Sequence, residues 1–149
     1  MPSFVAWLKT LADEFASLGT LEAFYVRLGD DLVAVRPSSS HPRRLKSASA
    51  LMRTLTLHSG ILLTKGPEGG PFPDALLREL GAEAAVLIRD RGGLVALACL
   101  ANTPTSFDDE SAARIAAHCA EGLRRFPGAA LRKALRPHPF RTLAGVFFR

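Results

Sequence analysis

The first apolar positions along the chain, Phe4, Trp7, Leu8, Leu11, Phe15 and Leu18, recur at helical spacing, with Lys9, Asp13 and Glu14 on the other side. That pattern predicts an amphipathic helix. Ser3 can serve as its N-cap and Gly19 ends the run as a C′ glycine does. Two β-like stretches follow, Leu21–Leu28 and Leu32–Arg36. Between them Gly29-Asp30-Asp31 is hairpin-turn chemistry, because Gly and Asp tolerate positive φ. The stretch from Pro37 through Ser38, Ser39, Ser40 and His41 to Pro42 cannot continue a strand and reads as a loop. Leu45, Ala48, Leu51, Met52 and Leu55 then predict a middle helix over Leu45–Ser59 that stops near Gly60. Ile61–Lys65 reads as a short strand, Gly66–Pro71 as a loop, and Asp74–Leu80 as a short helix.

Ala84–Arg89 and Leu94–Leu100 form a second hairpin across Asp90-Arg91-Gly92-Gly93. Both runs are almost continuously apolar, which places them mid-sheet with both faces covered. In the last element Asp108 suits an N-cap and Phe107 a hydrophobic staple. Its apolar stripe is Ala112, Ile115, Ala116, Cys119, Leu123 and Phe126, with Arg114, His118, Glu121 and Arg125 off the stripe, and Pro127-Gly128 ends it. The expected fold class is therefore α+β. It has a five-stranded, mostly antiparallel sheet in the order 2-1-5-4-3, with the terminal helices paired on one face and the middle helix plus loops over the other. Residues 1–126 form the domain and 127–149 a separate basic, hydrophobic tail.

Composition agrees with one domain. A chain of 149 residues with 48% hydrophobic content can fill a core without disulfides or metal. The longest apolar run, Leu94 to Ala101, falls far short of the ~20 residues of a membrane span. The Met1-Pro2-Ser3-Phe4 start does not read as a signal peptide, and two cysteines make no disulfide framework, so cytoplasm is expected. The net charge of +5 changes meaning once it is located. Up to Glu121 there are 12 Lys/Arg against 14 Asp/Glu, whereas Gly122–Arg149 carries seven basic residues and no acid. The high pI belongs to the tail, and a nucleic-acid partner read from whole-chain charge is misplaced.

With these elements in place, the chain resembles a GAF domain from about Phe4 to Phe126. The resemblance is strongest from Leu76: a glycine-turn hairpin of two apolar strands, then Phe107-Asp108-Asp109-Glu110, then a long Ala/Leu-rich helix to Arg125. It implies a ligand pocket on one sheet face, roofed by the middle helix Leu45–Ser59 and by the loops Pro37–Arg44 and Gly66–Pro73. It also implies terminal helices that form a dimer interface or transmit a signal. Specialised members of the family are not matched. The cyclic-nucleotide type carries Asn-Lys, then Phe, then Asp-Glu. Here Asn102 is followed by Thr103, and Ser111-Ala112 stand four and five residues after Phe107. Bilin-binding and methionine sulfoxide reductase types need pocket cysteines, and Pro37–Pro73 has none.

Candidate chemistry is sparse. Cys99 lies mid-strand among apolar neighbours and Cys119 on the apolar helix stripe, where a thiol acts as a small hydrophobe. His41, His58, His118 and His138 are scattered without metal-ligand spacing. Asp108, Asp109 and Glu110 read as helix capping, and Gly66-Pro67-Glu68-Gly69-Gly70 lacks the Lys-Ser/Thr ending of a phosphate loop. No catalytic residue, metal or cofactor is expected. The loop Ser38–Arg44 can bind a small anion through Ser40, His41, Arg43 and Arg44, since arginine offers a planar fork to carboxylate or phosphate, or it can be an ordinary solvated loop. The tail places Arg132, Lys133, Arg136 and Arg141 among Leu131, Leu135, Phe140 and Phe147, with Pro137-His138-Pro139 interrupting it. It can lie on an anionic membrane surface, engage an acidic partner, or pack on its own domain. The expected function is a non-catalytic sensory or regulatory domain, dimeric through its terminal helices, that binds a small ligand or a protein partner. The alternative is a protein-interaction module with a degenerate pocket, working through the tail.

Overall fold

The computed structural model describes residues 3–36, 41–57, 62–64, 71–91, 93–103 and 109–126. The elements are α1 (Phe4–Glu14), β1 (Thr20–Leu28), β2 (Asp31–Arg36), β3 (Arg44–Leu45), α2 (Ala50–Leu57), β4 (Leu62–Thr64), α3 (Pro71–Leu80), β5 (Ala84–Asp90), β6 (Gly93–Ala101) and α4 (Asp109–Leu123). The strands form one sheet in the order β3-β2-β1-β6-β5-β4, every neighbouring pair antiparallel. The five expected strands hold the expected order, and the two-residue β3 extends the sheet beyond β2. The class is α+β, as expected.

Local chemistry accounts for the element ends. Ser3 caps α1, its Oγ accepting the Ala6 N–H at 3.1 Å. Gly29 (φ 67°) makes a two-residue turn between β1 and β2 possible. Gly19 sits at φ 150° and lies so close to β6 that an added Cβ would stand 2.7 Å from the Ala101 carbonyl oxygen. Helix α3 starts three residues earlier than expected, because Pro71 and Pro73 fall in a first turn whose N–H groups need no partner.

The middle helix starts five residues later than its period predicts, at Ala50 rather than Leu45. Leu45 is not its first residue but pairs with Leu32 across β2 and β3. The chain then turns at Lys46, whose carbonyl accepts both the N–H and the hydroxyl of Ser49. The Ser49 Oγ in turn accepts the Met52 N–H at 3.1 Å, so the helix begins at Ala50 with a serine cap. The expected end at Ser59, the Asp108 cap, the Phe107 staple and the whole tail lie outside the described residues.

Two apolar layers flank the sheet. On one face α1 and α4 cover Phe24, Val26, Ala84, Val86, Ile88, Ala96, Ala98 and Leu100. The terminal helices meet there: Phe126, just past α4, has its ring centroid 5.3 Å from Phe4 and 5.7 Å from Trp7. Gly122 lets the indole lie on α4, since a Cβ would come within 2.6 Å of Trp7 Nε1. On the other face α2 and α3 cover Ala23, Tyr25, Leu32, Ala85, Leu87, Leu94, Leu97 and Cys99. Strands β5 and β6 are thus buried on both sides, as their unbroken apolar runs predict.

Simple alternation would not give these faces. The register slips between Leu21 and Ala23, leaving Glu22 as an extra residue, so Leu21 and Ala23 point to opposite faces. A second slip in the β5–β6 pair leaves Val95 extra, and Leu94 shares a face with Leu97. These bulges reset the two-residue parity of the central strands.

Candidate functional site

The roof-side face, under α2 and α3, is where the GAF resemblance implies a ligand pocket. Tyr25 on β1 is fully buried there, and its hydroxyl donates to the Pro42 carbonyl at 2.6 Å. This bond fixes residues 41 and 42 over the sheet, and His41 is 6% exposed beside it. Arg43 and Arg44 continue outward to the sheet edge and are exposed. The Arg43 carbonyl accepts the Ala34 N–H at 2.9 Å, so this residue is anchored by its backbone.

Arg44 is committed within the fold. Its Nη1 stands 3.3 Å from Asp31 Oδ2, and the other carboxylate oxygen accepts the Ser47 N–H at 2.8 Å. Asp31 thus ties the start of β2 to the β3–α2 turn. Of the four expected ligand residues, the structure brings His41 to the buried side and Arg43 and Arg44 to the surface. Ser40 lies outside the described residues, as do Arg132, Lys133, Arg136 and Arg141.

Sequence reasoning overlooked three residues that organise this region. Tyr25 read as one more strand residue, and Asp31 as turn chemistry. Arg89 read as the polar end of an apolar run. Its guanidinium donates to the carbonyls of Leu55 (3.2 Å) and Thr56 (3.5 Å), in the last turn of α2. A cation at a helix C-terminus is favoured because the final carbonyls carry partial negative charge. A clue existed for Tyr25, since a buried tyrosine hydroxyl needs a partner.

Two buried thiols and a buried phenol are held in their neutral forms. Burial pushes the Cys99 thiol up to about 12, with a smaller contribution from Glu22. The Cys119 thiol is likewise raised to about 12 by burial, with Glu14 adding to it. Tyr25 is raised well above the ordinary phenol value by burial, then by Cys99. At neutral pH both cysteines are thiols rather than nucleophilic thiolates. Among the described residues, no group of three or more His, Cys, Asp or Glu is placed to hold a metal ion. Nor, among them, is any helix long and apolar enough to cross a membrane.

Compared with protein-family models, with curated proteins and with solved structures, the chain gives no significant match.

Proposed function

We propose that this chain is a non-catalytic, GAF-like regulatory domain that acts by associating with a protein partner, as a dimer through its terminal helices. The layering supports the GAF-like part of this reading: paired terminal helices on one sheet face, and α2 with α3 on the other. One observation carries the choice of a protein partner over a pocket ligand. On the roof side Tyr25, Leu87, Leu97 and Cys99 of the sheet, and Leu55, Leu77 and Leu80 of the helices, are all fully buried. The described part of that face is filled by its own side chains, and a ligand there would have to displace them. The small-anion reading keeps one observation of its own, the exposed Arg43 at the edge of the roof.

Native mass spectrometry with light scattering tests the proposal. A dimer carrying no retained small molecule is expected. Val5, 53% exposed on α1, should be sensitive to charge, so Val5→Asp should shift the dimer to monomer. A monomer that retains a small anionic molecule, and loses it in Arg43→Ala, would replace this reading with the ligand-binding one.

A further inference from the structure

Helix α4 turns Ala112, Ala116, Cys119 and Ala120 onto the sheet, where all four are buried. Its opposite side is open. Glu110, Arg114, Glu121 and Arg125 are exposed there, and at 3.6 residues per turn they fall within one stripe about 60° wide. The backbone carries the last turn on to Arg125, whose N–H reaches the Gly122 carbonyl at 3.2 Å. Two other polar side chains of the helix lie against carboxylates of the domain itself. His118 stands 3.1 Å from Glu14 of α1, and Arg124 donates to Asp90 at the end of β5. Midway along the stripe lies Ala117, exposed and small.

The order of charge along the stripe is acid, base, acid, base. Glu110 and Arg125 stand equally far from the point between Ala117 and His118, and so do Arg114 and Glu121. Turned end for end about that point, the stripe of one copy sets acid opposite base at every position of another. Laid parallel, it sets every charge against its own kind. A two-fold interface brings the same patch of both copies together, so the patch must be complementary to itself. This one is so in the antiparallel direction only.

Resting on the dimer reading above, we infer that two copies pair α4 antiparallel about Ala117, with Arg114 against the partner's Glu121 and Glu110 against the partner's Arg125. Charged pairs of this kind set register and orientation more than affinity. The small side chain of Ala117 lets the two helices approach closely at the axis. The same spacing also gives each acid a base four residues on in its own helix, a support that a solvated helix uses as well. Charge reversal separates the two uses.

Dissociation of the full chain, followed by analytical ultracentrifugation, is the test. Arg114→Glu places two like-charge contacts in each dimer and should weaken it by roughly a hundredfold, as should Glu121→Arg. The double variant carrying both changes restores opposite charges across an antiparallel interface, and its dimer should return close to wild-type strength. Within its own helix the double variant sets like charges four residues apart at both ends, so a stripe that serves the helix alone makes it the least stable of the three. In a parallel dimer the double variant gains nothing over the single ones. Circular dichroism melts establish that each variant is folded. If the reversals are not, Glu110→Cys and Arg125→Cys chains serve instead: a short bismaleimide should link a mixture of the two, and neither chain to itself. Cys99 and Cys119 are fully buried and do not compete. Single variants that dimerise as wild type, a folded double variant that stays dissociated, or a cysteine chain that links to itself would each overturn the inference and leave the dimer reading standing. A wild-type monomer removes the dimer reading itself, and this inference with it.

Discussion

The two faces of the sheet solve the same burial problem with different side chains. Beneath α1 and α4 the sheet offers Ala84, Ala96 and Ala98, and α4 answers with Ala112, Ala116 and Ala120. Small residues on both sides let helix and sheet backbones approach closely, and the remaining volume is filled by Phe4, Trp7, Phe15 and Phe24. Beneath α2 and α3 the filling is mostly leucine, from Leu32, Leu55, Leu77, Leu80, Leu87 and Leu97. That face also holds the Tyr25 hydroxyl, the Cys99 thiol and His41 nearby. The terminal-helix face is fixed mainly by shape, with exposed polar pairs only at its rim, His118 with Glu14 and Arg124 with Asp90. The roof is fixed by shape plus a few directed bonds, from Tyr25 to Pro42 and from Arg89 to the end of α2. The roof is therefore the face on which single polar changes can alter a loop without dismantling the core.

The largest expected effects come from emptying either face. Phe24→Ala, at a fully buried ring edge-on to Trp7, should cost about 3–5 kcal/mol. Leu77→Ala, equally buried on the roof side, should cost about 2–5 kcal/mol. Urea unfolding of the two variants compares the faces directly. If Leu77→Ala costs under about 1 kcal/mol, the roof is loosely packed, and the argument for a filled face fails.

Gly122→Ala asks how tight the terminal-helix face is. Alanine is the better helix former by about 1 kcal/mol, so a slack interface would be stabilised. The added Cβ would instead stand 2.6 Å from Trp7 Nε1, and that ring is wedged among Phe4, Phe24 and Phe126. Overpacking of this kind costs about 1–3 kcal/mol. A net loss of stability with a shifted tryptophan emission is expected, and a gain in stability would show that α1 can yield.

Much of this architecture is legible from spacing alone. The hairpin turns announce themselves through Gly29-Asp30 and through the break between Asp90 and Gly93, and the apolar runs of β5 and β6 betray their double burial. What is not legible depends on partners distant in the chain. Nothing local in the sequence shows that Glu22 and Val95 are extra residues, because a bulge is defined by the neighbouring strand's register. Leu45 fits a helical stripe by period, yet Leu32 claims it for the sheet. At the candidate site Arg44 looked available for an anion until folding set it beside Asp31.

Each face also buries one thiol, and alkaline pH tests them together. Cys99 on the roof side and Cys119 on the terminal-helix side are both raised to about 12 from an ordinary value of 9.0. The unfolded chain therefore releases these protons first. Stability should be unaffected by them below pH 9 and should fall as pH rises from 9 toward 12. Tyr25 adds to the loss above its ordinary value of 10.0. Cys119→Ala and Cys99→Ala should each flatten part of this decline, measured as melting temperature against pH. The Tyr25→Phe variant removes the roof bond as well, at about 1–3 kcal/mol for the carbonyl left behind, and should increase exchange of amides near Pro42. An unchanged exchange pattern there would mean that the hydroxyl does not hold the loop.

The smallest expected effect lies at the sheet's far corner, where one ion pair joins the β5–β6 hairpin to the end of α4. Arg124 Nε and Nη2 donate to the two carboxylate oxygens of Asp90 at 3.0 and 2.5 Å. Hydrogen bonding from Arg124 holds the Asp90 carboxyl below its ordinary 3.8. A carboxylate with a depressed folded-state value contributes stability above that ordinary value and loses it as pH falls through the depressed one. The guanidinium is 57% exposed, so solvent screens much of the attraction and the pair contributes little at neutral pH. Asp90→Asn should therefore lower the neutral melting temperature only slightly, and that difference should vanish as pH falls below 3.8, where wild type loses the contribution of the pair. Raising the salt concentration should shrink even that difference. If the variant instead loses several degrees at neutral pH, the corner anchors α4 on the sheet, and shape alone would no longer account for the terminal-helix face.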